Sequence, residues 1–279
     1  MTAAALNLGD VLRRASEHLA KTSETGRLDA ELLLAHALGR QRIELYTDFD
    51  RPLSPQELDT YRELVARRAR HEPVAYILGE WGFRRLTLAV DRRALIPRPE
   101  TEIVVERALA HIDGLEQPRV LDVGTGTGAI ALAIADEHPG ARVTAIDVSP
   151  DALDLARENA RRTGLPVELL QHNLLDGLPG GPYELVVSNP PYVEPTDLGT
   201  LMPDVRDYEP HVALVDSGAT EATARAAVDV LVPDGRLVLE VGYGQALATA
   251  AFLAANGFLD VVATADLTGR DRVVEGRRG

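Results

Sequence analysis

The chain has 279 residues, contains no cysteine and carries a formal net charge of −14. Its length allows one large domain and a smaller one, and its 45% of apolar residues is ordinary for a globular protein. The lack of cysteine excludes disulfide frameworks, thiolate catalysis and cysteine-bound zinc. Met1–Asp10 has no basic region followed by an apolar core, and no stretch approaches the ~20 apolar residues of a membrane span. We therefore expect a soluble, cytoplasmic protein without a membrane partner.

The charge is distributed unevenly along the chain. Residues 1–100 have a net charge of +1, whereas residues 101–279 have a net charge of −15. A surface this acidic repels a phosphate backbone, so the sequence predicts no DNA partner.

The first 75 residues have the pattern of a small helical domain. Apolar residues recur at helical spacing over residues 8–20, and a second apolar helix over Leu28–Leu38 ends at Gly39. Ser54-Pro55-Gln56-Glu57 has the residues of a capping box, with proline at the first helical position. We predict an all-helical domain over residues 1–75.

A linker is predicted over residues 76–100. From Trp81 to Leu95, aromatic and β-branched residues alternate with arginines around Asp91-Arg92-Arg93, which favours a two-stranded β-hairpin. The segment Leu95–Glu102 then places two prolines before a predicted helix over Ile103–His111.

Strand and helix patterns alternate from Arg119 onward. This order is typical of a parallel sheet that is covered by helices on both faces. We predict seven strands, at Val120–Val123, Arg142–Ile146, Val167–Gln171, Tyr183–Val187, Leu237–Val241, Phe258–Thr264 and Arg272–Glu275. The predicted fold class is α/β, with a seven-stranded, mostly parallel, Rossmann-like sheet in a domain over residues 101–279.

A glycine-rich loop follows the first strand. Gly124-Thr125-Gly126-Thr127-Gly128 leads directly into a helix of small residues, and the second strand ends at Asp147. Glycines let the backbone approach a ligand closely, and the helix N-terminus offers free N–H groups. The Asp147 carboxylate can accept hydrogen bonds from both hydroxyls of a ribose. Strand, glycines, helix, strand and terminal acid in this order predict a nucleotide-type cofactor site.

Two classes of nucleotide cofactor fit this unit. Dinucleotide enzymes have the spacing G-x-G-x-x-G, whereas Gly124, Gly126 and Gly128 are spaced two apart. Together with Asp122 they form Asp-x-Gly-x-Gly-x-Gly, as in methyltransferases that use S-adenosylmethionine. The spacing therefore favours the methyl donor, and the sequence contains no P-loop motif.

A second candidate loop ends the apolar strand Tyr183–Val187. The strand runs through Ser188 into Asn189-Pro190-Pro191-Tyr192, at the strand end where ligands bind in open α/β sheets. The Asn189 side-chain oxygen and the Pro190 carbonyl are two acceptors at fixed spacing, which suits a planar NH2 group. The Tyr192 ring can stack on the plane of that group. We assign catalysis to Asn189, Pro190 and Tyr192, and substrate binding to these three residues and Pro191.

These segments resemble the N(5)-glutamine methyltransferases of peptide chain release factors, the HemK-like family of class I S-adenosylmethionine-dependent methyltransferases. The resemblance runs nearly end to end. It includes Arg27–Leu33, Glu72–Gly79, Leu95–Glu102, Leu121–Ala135, Asn189–Val193, Tyr208–Pro210 and Asp271–Val274. Leu95–Glu102 is the more specific segment, because Asn-Pro-Pro-Tyr is shared with adenine-N6 DNA methyltransferases and with ribosomal-protein glutamine methyltransferases.

The resemblance implies that the substrate is the glutamine in the Gly-Gly-Gln motif of bacterial class 1 release factors, and that the helical domain contacts the factor. S-adenosylmethionine would be converted to S-adenosylhomocysteine, without a metal. Gly124–Gly128 would hold the methionine part of the cofactor, Asp147 its ribose and Asn189–Tyr192 the glutamine amide, with Asn189 also beside the cofactor. Leu174 would lie beside the adenine, where the family often has an aromatic residue after an acid. We expect a monomer.

The expected chemistry is in-line transfer to an amide nitrogen. That nitrogen is a poor nucleophile, because its lone pair is delocalised into the carbonyl. Hydrogen bonds from its NH2 group to Asn189 and Pro190 favour a nitrogen whose charge is rising, so positioning matters more than a strong base. Glu209, His211 and Asp216 are the nearby acid–base candidates.

Three alternatives remain open at this point. Two are methylation of a ribosomal-protein glutamine and adenine-N6 methylation of nucleic acid. The third is a cofactor-sensing module without catalysis, and the complete loop Asn189–Tyr192 argues against it.

Overall fold

The computed structural model of the protein describes residues 6–279; residues 1–5 of the predicted helical domain lie outside this range. The α-helices are α1 (Leu8–Leu19), α2 (Gly26–Leu38), α3 (Pro55–Ala69), α4 (Val74–Leu78), α5 (Thr101–Ile112), α6 (Ala129–Glu137), α7 (Pro150–Thr163), α8 (Pro203–Arg206), α9 (Ala219–Val230) and α10 (Ala246–Ala255). The strands are β1 (Glu80–Phe83), β2 (Leu86–Ala89), β3 (Arg119–Val123), β4 (Arg142–Asp147), β5 (Val167–Gln171), β6 (Tyr183–Ser188), β7 (Leu231–Glu240), β8 (Phe258–Ala265) and β9 (Asp271–Arg278). Short 3₁₀ helices cover Arg42–Thr47, Leu174–Asp176, Leu198–Thr200 and His211–Ala213.

The chain forms two compact units. The first contains the described residues up to Gly79 together with Met202–Tyr208, and the second contains Glu80–Leu201 and Glu209–Gly279. Within residues 6–279, no helix combines the length and the apolar character needed to cross a membrane.

The first unit is helical; α1 and α3 begin where the sequence predicts, whereas α2 begins at Gly26, two residues before the predicted start at Leu28. Ser54 Oγ accepts from Glu57 N at 3.3 Å, and the Glu57 carboxylate accepts from Ser54 N at 2.8 Å, so the predicted capping box is confirmed. The buried Arg68 guanidinium donates to Asp29 at 2.7 Å, which pairs a charge that would otherwise be costly inside this unit.

The predicted hairpin is present, but the predicted position of its turn was wrong. β1 and β2 pair antiparallel with Phe83 opposite Leu86, so the turn lies at Arg84-Arg85. Arg84 adopts a φ of 49°, a left-handed conformation that is uncommon for a residue with a side chain. Asp91 follows the hairpin and accepts from the backbone N–H and the guanidinium of Arg93.

The second unit contains the seven-stranded sheet, with strand order β5-β4-β3-β6-β7-β9-β8. The strands from β5 to β7 pair in parallel, and β9 pairs antiparallel with both β7 and β8. This confirms the predicted seven-stranded, mostly parallel sheet. α5 and α6 contribute to the buried cluster on one face, while α9 and α10 contribute to the cluster on the other.

The strand order changes direction between β3 and β6. From β3 the chain continues outward to β4 and β5, and from β6 it continues to β7 on the other side. Such a switch point leaves a crevice beyond the carboxyl ends of the two strands. Ser188 Oγ donates to the Val123 carbonyl at 2.7 Å and joins these two ends.

Candidate active site

A cavity of about 320 Å³ lies in the second unit, at the carboxyl ends of β3, β4 and β6. Its walls include most of the residues assigned from the sequence: Gly124, Thr125, Gly126, Thr127, Asp147, Leu174, Asn189, Pro190 and Pro191. Gly128 and Tyr192 are not among the lining residues. The structure therefore brings the two predicted loops together around one space, with these two residues behind its wall.

The glycine loop has a backbone shape that requires its glycines. Gly124, Gly126 and Gly128 have φ values of 74°, 54° and 83°, a region that residues with a Cβ avoid. At Gly128 an added Cβ would also lie 3.2 Å from Leu132 Cδ1. The loop then enters α6 at Ala129, whose first N–H groups have no partner within the helix.

Asp147 fastens this loop to the end of β4. Its Oδ2 accepts from Gly126 N at 2.9 Å, and its Oδ1 accepts from Ser149 N at 2.9 Å. Burial raises the pKa of Asp147, and the N–H groups of Ser149, Gly126 and Val148 oppose that shift. Each carboxylate oxygen has a second lone pair, so Asp147 can still accept hydroxyl groups from a ligand in the cavity.

Asp122, the first residue of the Asp-x-Gly-x-Gly-x-Gly pattern, lies beneath the loop. It is completely buried, and its Oδ2 accepts from Thr125 Oγ1 at 2.6 Å. Burial raises the pKa of Asp122 to about 7, although the hydrogen bond from Thr125 lowers it. Asp122 Oδ1 has no hydrogen-bond partner among the described residues. We therefore assign Asp122 to holding the loop from below.

Asn159 supports the loop from α7 and is a residue that was not predicted from the sequence. Its Nδ2 donates to the carbonyls of Thr127 and Ala89 at 2.9 and 3.0 Å, and its Oδ1 accepts from Ala89 N at 2.7 Å. The available signal was a polar residue on the apolar face of α7, three positions after Ala156. Such a residue needs buried partners, and here they are the glycine loop and the hairpin.

Asn189 lines the cavity, and its side chain is held through its NH2 group. Asn189 Nδ2 donates to Thr101 Oγ1 at 3.2 Å, whereas no group within residues 6–279 donates to Asn189 Oδ1. Pro190, the next residue, lines the same cavity. Acceptance of a substrate NH2 group by the Asn189 oxygen and the Pro190 carbonyl stays a prediction.

Tyr192 is held behind Asn189 by three contacts. Its carbonyl accepts from Gln245 Nε2 at 3.0 Å, and its hydroxyl lies 3.5 Å from Glu240 Oε1. Its ring lies so close to Gly242 that an added Cβ there would be 3.1 Å from Cδ2. Burial raises the pKa of Tyr192 to about 12. Stacking of this ring on a substrate amide stays a prediction.

The segment Leu95–Glu102 forms another wall of the cavity and is anchored by Glu209. Leu95, Pro97, Arg98 and Thr101 line the space. The buried Glu209 carboxylate accepts from Ile96 N at 3.2 Å and forms an ion pair with Arg98. Glu209 was an acid–base candidate in the sequence, and here it orders the segment. No group of three or more metal-ligating side chains occurs among the described residues.

Comparisons with known proteins cover both units. Residues 10–79 match the family "PrmC N-terminal domain", and residues 101–202 match the family "Methyltransferase small domain". The chain is 44% identical over 264 residues to the release factor glutamine methyltransferase of Geobacter sulfurreducens, covering 93% of this chain and 92% of that protein. It is 43% identical over 281 residues to the protein of the same name from Deinococcus radiodurans, covering 98% and 99%. A solved protein-(glutamine-N5) methyltransferase, described as release factor-specific, from Alicyclobacillus acidocaldarius is 33% identical, with a TM-score of 0.42 over 68% of this chain and 99% of that one.

Proposed function

Since the chain belongs to the family of release factor glutamine methyltransferases, we propose that it methylates the glutamine side chain in the Gly-Gly-Gln motif of class 1 peptide chain release factors. The acceptor atom is the amide nitrogen, and the methyl donor is S-adenosylmethionine. The observation that carries this proposal is the Asn189 carboxamide, which lines the cavity together with the glycine loop and whose Nδ2 donates to Thr101 Oγ1, so that Oδ1 is the end left to accept from a substrate.

The residues of the cavity fit a nucleoside cofactor with a short charged tail. The glycine loop presents backbone without side chains, and Asp147 keeps lone pairs free for ribose hydroxyls. The volume of about 320 Å³ lies within the range of small-molecule sites. S-adenosylmethionine, when bound, supplies a methyl group on a positively charged sulfur. Leu174 lines the cavity and is the residue that we assign to the adenine.

The protein's own contribution is to position the substrate amide. Asn189 Oδ1 and the Pro190 carbonyl accept hydrogen bonds from the two N–H groups of the glutamine NH2. These hydrogen bonds fix the plane of the amide and exclude water from it. These hydrogen bonds also stabilise the positive charge that develops on the nitrogen during methylation. The proton that the nitrogen loses can pass to water, so the residues at the cavity need not include a strong base.

We assign the first helical domain, residues 1–75, to contact with the release factor. Its net charge differs from that of the catalytic part, since residues 1–75 carry 11 basic and 12 acidic side chains, a net charge of −1, and residues 101–279 carry −15. The acidic part disfavours a nucleic-acid substrate, because phosphates would be repelled around the cavity.

The test is methyl transfer from labelled S-adenosylmethionine to four substrates: a release factor, the same factor with its motif glutamine changed to alanine, ribosomal proteins, and duplex DNA. We expect label on the intact release factor, and mass spectrometry should place one methyl group on the motif glutamine. Comparable labelling of the alanine variant, of a ribosomal protein or of adenine in DNA would contradict the proposal.

A further inference from the structure

Gln245 lies in the turn that follows β7, next to the loop Asn189–Tyr192. In this turn Gln245 N donates to the Gly242 carbonyl at 3.1 Å, and Gly244 has a φ of 81°, at a position where a turn of this kind favours glycine. α10 begins at the next residue. Since β7 pairs in parallel with β6, the turn lies at the same edge of the sheet as the cavity.

Both ends of the Gln245 carboxamide have hydrogen-bond partners. Its Oε1 accepts from Gly242 N at 2.9 Å, and its Nε2 donates to the Tyr192 carbonyl at 3.0 Å. An N–H group can only donate and a carbonyl can only accept, so these two partners select one orientation of the carboxamide. Gln245 therefore joins the turn after β7 to the end of the loop that contains Asn189 and Pro190.

The turn and the loop approach each other closely at Gly242. A Cβ added there would lie 2.7 Å from Gln245 Oε1 and 3.1 Å from Tyr192 Cδ2. A side chain at this position would therefore displace the Gln245 carboxamide. Glycine leaves the space through which Gln245 reaches the Tyr192 carbonyl.

The loop is stiff, so the position of its end determines its direction. The proline rings lock φ at Pro190 and Pro191. Asn189 and Pro190 each precede a proline, which disfavours the helical conformation at both. Few backbone rotations therefore remain between Asn189 and Tyr192. A displacement of the Tyr192 end would consequently redirect the Pro190 carbonyl as well.

We propose that Gln245 is a positioning residue, which holds the Tyr192 end of the loop so that the Pro190 carbonyl meets the substrate amide in the direction needed for methyl transfer. This inference rests on the proposed function, in which the Pro190 carbonyl accepts a hydrogen bond from the glutamine NH2 group. Gln245 is not among the described residues that line the cavity. It therefore acts through the loop and not by touching the substrate or the cofactor.

The first test is single-turnover methyl transfer to a release factor by Gln245→Glu and Gln245→Met. Glutamate, which is ionised at about pH 8, keeps an acceptor for Gly242 N but has no donor for the Tyr192 carbonyl, whereas methionine has neither. We expect both variants to slow transfer by on the order of tenfold, within the hundredfold that a small misplacement can cost. A rate within twofold of the wild type in either folded variant would overturn the inference, so one variant is enough if the other does not fold.

Binding measurements separate positioning from a merely structural role. The transfer rate is measured at saturating S-adenosylmethionine and release factor, beside the dissociation constant for each and the melting temperature. We expect the rate at saturation to fall more than either affinity, because the loop is misdirected while the cavity that binds the cofactor is unchanged. A loss confined to the affinities, with a normal rate at saturation, would overturn the inference.

Gln117→Glu and Gln117→Met are the matched controls. Gln117 is exposed and precedes the amino end of β3, at the opposite edge of the sheet from the cavity. Both controls should transfer methyl groups at the rate of the wild type. An inactive wild type would contradict the proposed function, whereas an active wild type with unaffected Gln245 variants would contradict only this inference. The two failures are therefore distinguishable.

Discussion

The Asp147 carboxylate accepts a hydrogen bond from the Gly126 backbone N–H at 2.9 Å. The acid at the end of β4 therefore contacts the glycine loop at the end of β3, in addition to facing the cavity. A side chain that was assigned to the ribose alone also holds in place the backbone assigned to the methionine part. Losing it should disturb both halves of the cofactor site.

Asp147→Ala should weaken binding of S-adenosylmethionine by roughly 1–3 kcal/mol, because the ribose hydroxyls and Gly126 N–H lose their acceptor. Isothermal titration calorimetry measures this directly. Asp151→Ala is the matched control, since Asp151 is exposed in the first turn of α7 and does not line the cavity. Unchanged affinity in Asp147→Ala would remove this residue from the site.

Gly128→Ala should lower both stability and cofactor affinity. Its φ of 83° costs a residue with a Cβ about 1–3 kcal/mol, and the new Cβ would lie 3.2 Å from Leu132 Cδ1. Chemical denaturation gives the loss in unfolding free energy. Gly199→Ala is the control, because a Cβ there meets no atom of the described residues within 4 Å. Equal stability for the two variants would show that the loop can relax.

Asp122 should make the stability of the protein depend on pH. Its folded pKa of about 7 lies above the unfolded pKa, which is about 3.9, so the folded state binds more protons between these values. The resulting stabilisation is fully present below the unfolded pKa and is lost as pH rises through about 7. Asp122→Asn lacks this contribution.

The expected result is that the unfolding free energy of Asp122→Asn falls less between pH 5 and pH 8 than that of the wild type. The difference in slope cannot exceed about 1.4 kcal/mol per pH unit, the limit for one proton. Urea unfolding at several pH values measures it, with Asp151→Asn as the exposed control. If the unfolding free energy of Asp122→Asn depended on pH as steeply as that of the wild type, Asp122 would be ionised throughout this range.

The sequence alone was sufficient to locate the elements and loops whose backbone conformation is determined by local residue patterns. Gly124–Gly128 and Asn189–Tyr192 could be located because glycine and proline dictate the chain's shape there, and strand periodicity gave the sheet. The hairpin turn was misplaced because Arg84 adopts a left-handed φ that its residue type disfavours.

Other parts of the site depend on contacts that the sequence does not reveal. Glu240 meets Tyr192 only because β7 lies next to β6, and Thr101 meets Asn189 across 88 positions of the chain. Strand order decides such contacts. A single sequence has no periodic signal for such contacts. An acidic residue at the end of an apolar strand, such as Glu240, nevertheless indicates a buried polar group that needs a partner.

Tyr192 should be needed for its ring more than for its hydroxyl. Tyr192→Phe keeps the packing against Gly242 and loses only a 3.5 Å contact to Glu240, so we expect a mild effect on transfer. Tyr192→Ala leaves a gap behind the loop and should be severe. Single-turnover rates for the two variants test this. Equal losses would assign the main role to the hydroxyl.

Asn189→Ala removes the side-chain acceptor of a residue that lines the cavity, and it provides the most direct test of amide recognition. The substrate NH2 group then has one unpaired N–H, which costs roughly 1–3 kcal/mol in binding, and its plane is no longer fixed. We expect methyl transfer to fall on the order of a hundredfold or more, the usual penalty for misplaced reactants. Asn189→Asp keeps an acceptor but adds a charge and loses the Nδ2 donor to Thr101, so it should also be slow.

Both Asn189 variants should fold and still bind S-adenosylmethionine, because the glycine loop and Asp147 are unchanged. The measurement is single-turnover transfer to a folded release factor, made beside calorimetric cofactor affinity for each variant. Asn256→Ala is the matched control, since among residues 6–279 the Asn256 side chain bonds only to the Phe252 carbonyl of α10, outside the cavity. Near-normal transfer by Asn189→Ala would rule out recognition of the amide by this side chain, even if the protein methylates release factors.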